Sequence, residues 1–144
     1  MSFSDALGGA ILSTNSDAIV AADTEGIIRF WNPGAERIFG YRSADAIGQS
    51  LDIIIPERLR KRHWEGYRRV IKSGESRYGE GDVLAVPGIR KGGVGISLEF
   101  TIVPLRDGAG SLIGLAAIMR DVTKRFEEMR AMKKKLAQAT KVSG

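Results

Sequence analysis

Ten consecutive residues, ISLEFTIVPL at 96–105, do most to restrict what this chain can fold into. Ile96, Leu98, Phe100 and Ile102 fall on one side of an extended backbone, and Ser97, Glu99 and Thr101 on the other. A period of two sustained this long predicts a strand with one face on a core and the other toward water. Turn sequences bracket it: RKGGV before and RDGAGS after; their glycines are punctuation. Beyond the turns lie two further strand-like runs, DVLAVPGI (82–89) and LIGLAAIMRDV (112–122), the second small and apolar along its length. Three strands joined this way make an antiparallel meander.

Upstream, AIVAAD (18–23) and IIRFWN (27–32) flank Asp23-Thr24-Glu25-Gly26 and read as a hairpin. Asn32-Pro33 stops the second strand. PGAERIFG follows as a short helix, with Pro33 at its start and Gly40 past its end. Ser43 is expected to cap another short helix, SADAIG, ended by Gly48. LDIIIP is an apolar segment stopped by Pro56. At the N-terminus, 4–13 reads as a helix weakened by Gly8-Gly9; Ala6, Ala10 and Ile11 share a face with Leu7 beside it, and it is expected to pack as a cap. The order predicts an α+β fold with one antiparallel sheet.

A length of 144 residues allows one domain with a real core. There is no cysteine, which excludes disulfides, zinc thiolates, iron–sulfur clusters, cysteine nucleophiles and flavin–cysteinyl photochemistry. The net charge of +5 concentrates in 58–72 and 124–141, as two solvated helix faces would. No aromatic–basic interleaving or phosphate loop accompanies it, so no nucleic acid is expected. No apolar run approaches the roughly 20 residues of a membrane span. The start, MSFSDALGG, lacks a basic n-region and carries Asp5, so the expected location is cytoplasmic.

The strongest helix is 56–74, PERLRKRHWEGYRRVIKSG, which holds the only histidine. Leu59, His63, Tyr67, Val70 and Ile71 share one face, and the arginines and lysines take the others. His63 is thus aimed inward. From the pattern alone it is an ordinary helix residue, a contact to a polyanion, or an axial ligand to iron. Trp64 falls on the neighbouring face with Arg60 and Arg68, where a surface or dimer contact is expected.

Four stretches together resemble the PAS domain, the small sensory module of bacterial signalling proteins. DAIVAADTEGIIRFWNPGAERIFGY looks like its opening strand pair and first helix, and SADAIGQSLDIIIPERLR like the following helix and Ile-Pro junction. IRKGGVGISLEFTIVPLRDGAGSLIG resembles its two-strand hairpin, although Gly92 replaces the usual Asp of the turn. AAIMRDVTKRFEEMR looks like its last strand and the exit into a signalling helix. The resemblance implies a five-stranded antiparallel sheet with helices on one face around a small pocket. It divides the chain into a cap helix (1–14), a sensory domain (15–122) and a C-terminal helix (123–144).

IIPERLRKRHWEGY is also similar to a haem-binding subset, the oxygen-sensing histidine kinases of nitrogen-fixing bacteria. Arg60, Arg62 and His63 match their Arg-x-Arg-His setting, and Ser73-Gly74-Glu75 their Thr-Gly-Glu. That resemblance implies b-type haem with His63 as the metal ligand, in a setting of Leu59 and Tyr67. Arg62, Arg68 or Arg77 is then available to the propionates, and Leu84, Phe100, Ile102 and Leu115 would line a dry distal side. Those sensors carry an arginine on the strand after this helix. Here the matching stretch is Gly81-Asp82-Val83-Leu84, so oxygen discrimination would differ, and NO, CO or redox state suits an apolar pocket better.

After Thr123, Phe126, Met129 and Leu136 fit coiled-coil positions while Lys133 interrupts them, so a homodimer through the terminal helices is expected. With no kinase, cyclase, receiver or DNA-binding segment, the chain is expected to act on a separate partner such as a histidine kinase, or as the sensor part of a larger protein. A module with flavin or no cofactor, serving dimerisation or protein interaction or binding another small molecule, stays open. A haem enzyme has little else to build on.

Overall fold

The structure, a computed structural model, describes residues 1–74 and 84–143. One antiparallel sheet holds β1 (Ala18–Asp23), β2 (Ile28–Trp31), β3 (Leu84–Ile89), β4 (Gly95–Arg106) and β5 (Leu112–Asp121) in the order β2-β1-β5-β4-β3. The hairpin and the meander are both present. Their junction is the pairing of β1 with β5, which sets the first strand beside the last.

The alternation in β4 is realised. Ile96 and Leu98 are buried, whereas Phe100 and Ile102, on the same face, are only half-buried. The inner face is therefore packed solid at one end and hollow at the other. At the solid end α2 (Pro33–Phe39) sets Ala35, Ile38 and Phe39 against Ala18, Val20, Trp31, Leu98 and Met119. Gly40 closes this helix in the left-handed region (φ 82°), its N–H bonded to the Glu36 carbonyl at 2.9 Å. Asn32 caps the other end and is itself almost wholly buried.

Next come α3 (Ser43–Ala46), 3-10 turns at Leu51–Ile54 and Glu57–Leu59, and α4 (Arg60–Ser73). Ser43 is not the cap of α3. That place belongs to Arg42, and the Ser43 N–H donates instead to the Glu36 carboxylate at 2.7 Å. Gly74 ends α4 with φ 72°.

The terminal helices stand apart from the core. In α1 (Phe3–Leu12), closed by a Ser2–Asp5 capping box, no residue is buried. Phe3, Leu7, Ile11 and Leu12 stay exposed, so this helix does not pack as a cap on its own chain. α5 (Thr123–Ser143) exposes Phe126, Met129, Met132 and Leu136. Its root is tied to β4: the Val122 N–H donates to the Ser97 carbonyl at 2.9 Å, and the Ser97 N–H to the Thr123 hydroxyl at 2.9 Å. Among the described residues, no helix is long and apolar enough to cross a membrane.

Candidate functional site

The hollow end of the sheet is a cavity of about 140 Å³. Its floor follows from the strand register. Val20 of β1 pairs with Ala117 of β5, which pairs with Ile102 of β4, and Ala22 pairs with Leu115. Ala22 and Ala117 contribute only a methyl each, and that deficit of volume at the sheet centre leaves the space. Leu51, Ile54, Ile55, His63 and Tyr67 form the roof, with Val86 and Pro87 of β3 at the rim.

The roof is pinned by polar bonds that sequence spacing does not reveal. The Tyr67 hydroxyl donates to the Asp23 carbonyl at 2.5 Å, and burial, with the Asp23 charge second, pushes its pKa up to about 12. The Trp64 indole N–H donates to the Asp52 carboxylate at 2.7 Å. Its ring lies on the β1–β2 turn so closely that a Cβ on Gly26 would fall 2.1 Å from it. Trp64 is therefore an intramolecular clamp, not the surface or dimer contact expected. Arg60 donates to the carbonyls of Ile55 (3.1 Å) and Asp52 (3.3 Å).

His63 lies in this aromatic group, its ring 4.7 Å from that of Trp64 and 5.8 Å from that of Tyr67. Burial lowers its pKa, and the Asp52 carboxylate offsets this only in part. The ring is thus neutral at pH 7 and keeps a lone pair. Its Nδ1 is buried with no hydrogen-bond partner among the described residues.

Five of the residues singled out from sequence meet at the cavity: His63, Tyr67, Phe100, Ile102 and Leu115. Leu59 is half-buried at the end of its 3-10 turn, outside the lining. Arg62 and Arg68 are exposed and also outside it. Leu84 sits in β3 opposite Phe100; its side chain and all of Arg77 lie outside the described residues. Sequence reasoning missed Val20, Ala22, Ala117 and Met119. The signal available was the run of small residues in 112–122, which marks where a sheet can leave room.

No cluster of three or more His, Cys, Asp or Glu occurs among the described residues. A metal here would need its other ligands from a cofactor. In kind, His63 suits a b-type haem: a neutral imidazole with an unclaimed nitrogen in a dry wall. Cofactor pockets run to roughly 300–1,000 Å³, and this one has about 140 Å³. A porphyrin therefore requires α4 to stand farther from the sheet than it does here.

A second, polar cleft of about 500 Å³ lies at the root of α5 between Asp17, Arg37, Arg120 and Lys124. Arg120 pairs with Asp17 at 3.0 Å, and Asp121 accepts from the Thr123 N–H at 2.9 Å. Asp121 thus joins sheet to exit helix, whereas Arg120 reaches the segment between α1 and β1.

The model of the PAS fold family matches residues 12–127. The chain belongs to the PAS family. This PAS domain is 32% identical over 132 residues to an uncharacterized protein of Azorhizobium caulinodans, covering 91% of the chain and 18% of that protein. It is 28% identical over 134 residues to the sensor protein FixL of Bradyrhizobium diazoefficiens, covering 93% of the chain and 26% of that protein. Over 69 residues it is 33% identical to the oxygen sensor protein DosP of Escherichia coli, covering 48% of the chain and 8% of that protein. The chain thus spans about a quarter or less of the length of these relatives. Among solved structures, the PAS domain of a Colwellia psychrerythraea protein superposes with a TM-score of 0.71 at 24% identity, covering 85% of this chain and 99% of that one.

Proposed function

We propose that this PAS sensory module binds b-type haem through His63 and responds to a diatomic gas or to redox state. The observation that carries the reading is the His63 Nδ1, buried and without a hydrogen-bond partner among the described residues, on a side chain in the wall of an apolar cavity. His63 would be the axial ligand, surrounded by Tyr67, Phe100, Ile102 and Leu115. When bound, the group supplies an iron that takes diatomic gases and changes oxidation state. The protein's part is to exclude water, hold the imidazole neutral and let α4 stand far enough from the sheet to admit the group. Relatives named as a sensor protein and an oxygen sensor support the direction of the proposal. The output is a displacement of α5, acting within a homodimer through the terminal helices or on a separate partner such as a histidine kinase. A ligand does this only by binding two positions of α4 with different affinity.

The test is the visible spectrum of protein expressed with haem supplied. A Soret band that shifts with CO or NO and is lost in His63→Ala is expected. Absence of the band, or an unchanged band in the variant, refutes the proposal.

A second reading rests on the exposed apolar residues of α1 and α5: a cofactor-free dimerisation module. It requires that removing 123–144 abolish a dimer and that His63→Leu leave it intact.

A further inference from the structure

We propose that in the form seen here, with α4 against the sheet, the cavity is a receptor for a compact neutral molecule of the size of benzene or phenol. The proposal rests on the sensory reading of the same cavity but does not require haem.

Three observations fix the ligand class. The first is volume. The free space is about 140 Å³, and an engineered apolar cavity of about 150 Å³ stays dry and takes benzene. The second is polarity. Among the described residues no Asp, Glu, Lys or Arg lines the space, so an ionised ligand would lose its hydration without a counter-charge. The third is the supply of hydrogen-bonding groups. The Tyr67 hydroxyl is already committed to the Asp23 carbonyl. The His63 imidazole is the other polar side chain in the lining among the described residues, so that wall serves a ligand carrying at most one hydroxyl or similar group.

Ala117 sets the size limit. It lies in the floor between Val20 and Ile102 in adjacent strands. A larger side chain there takes up the space a ligand would fill. A porphyrin and this small ligand are also mutually exclusive, because one needs α4 lifted and the other fills the gap left when it is down. The small ligand therefore stabilises the position of α4 that haem displaces. In a sensor that is an opposing signal.

The experiment uses the full chain without haem. Thermal unfolding is followed by circular dichroism with benzene, phenol, naphthalene or benzoate added, and heats of binding are measured for the first two. Near saturation benzene and phenol should raise the melting temperature by about 3–6 °C. Benzoate and naphthalene should leave it unchanged, and Ala117→Leu should cancel the benzene shift. Should that variant not fold, Ala22→Val fills the neighbouring floor position by a smaller step and must cut the shift at least in half. No shift with benzene and phenol overturns the proposal, as does an equal shift from benzoate or an undiminished shift in the filled variant. A missing Soret band leaves these results standing, and failure of the benzene test leaves the spectrum standing.

Discussion

Replacing Asn32 should cost more than any other single polar substitution among the described residues, and the reason can be counted. Its side-chain oxygen accepts from the Ile19 N–H at 2.8 Å and the Ala35 N–H at 2.9 Å. Its amide donates to the carbonyls of Thr14 at 3.1 Å and Asp17 at 3.0 Å. One side chain thus caps α2 and holds the segment between α1 and β1. In Asn32→Ala both N–H donors stay buried without a partner, at about 1–3 kcal/mol each. The two carbonyls are closer to the surface and regain water, so their loss is about 0.5 kcal/mol each. The sum is about 3–7 kcal/mol, a large part of a typical stability of roughly 5–15 kcal/mol. In urea, at a slope of about 2 kcal/mol/M, the midpoint should fall by about 1.5–3.5 M with the slope unchanged. Asn32→Ser provides the internal control. Its shorter side chain restores the cap bond to Ala35 and not the reach to Thr14 and Asp17, so it should recover about 1 kcal/mol. An alanine variant within 1 kcal/mol of wild type, or a serine variant no better than alanine, would refute the reasoning.

Two other predictions concern the roof of the cavity. Burial holds the folded-state pKa of His63 below its ordinary 6.5, so below that pH the unfolded chain binds more protons. The contribution is intact above about pH 6.5 and is lost as pH falls through the depressed folded value. Urea midpoints at pH 8, 7, 6 and 5 should decline more steeply in wild type than in His63→Gln, and parallel curves would count against a buried neutral ring. Gly26→Ala places a methyl against the Trp64 ring at a residue with φ +82°, so it should destabilise by about 2 kcal/mol and red-shift Trp64 emission. Combining it with Trp64→Leu should relieve the steric part of that loss, whereas full additivity in the double-mutant cycle would show that the two do not touch.

The fold was legible because its strongest signals are local. Alternation in 96–105 and turn glycines at 92, 93 and 110, all with positive φ in the structure, define the meander without knowledge of any partner. The cavity was not legible in the same way. Its volume is a difference between residues on four strands, a 3-10 turn and a helix, and Ala22 and Ala117 look like any strand alanines until the register places them together. Helical periodicity aimed His63 and Tyr67 inward and Arg62 and Arg68 outward. It set Trp64 outward too, because it cannot know that the β1–β2 turn rises to meet that face. Asn32 was read as a strand stop. Asn before Pro at a helix start is an N-cap signature, but its hold on Thr14 and Asp17 spans 18 and 15 residues and leaves no local trace.

If the proposed displacement of α4 is passed to α5, its route can be chosen by comparing magnitudes. Two kinds of contact hold the α5 root. The ion pairs Arg120–Asp17 and Arg125–Glu99 are exposed, with 69% and 61% of the arginine side chains accessible, and such pairs contribute about 0–1 kcal/mol. The two hydrogen bonds between Ser97 and the Val122–Thr123 link, one backbone to backbone and one to the Thr123 hydroxyl, are directional, the latter partly buried, and made on the strand that lines the cavity. Phe100 is three residues along β4 from Ser97, about 10 Å away, and pairs with Met119, itself buried in the core. A close-packed row transmits a displacement because it has no slack to absorb it. In the proposed sensor the route from cavity to exit helix would therefore run along β4 through Phe100 to Ser97, with the ion pairs as minor supports. Salt that screens the pairs should leave the coupling nearly unchanged, whereas Thr123→Val, which removes the hydroxyl accepting from the Ser97 N–H, should weaken it.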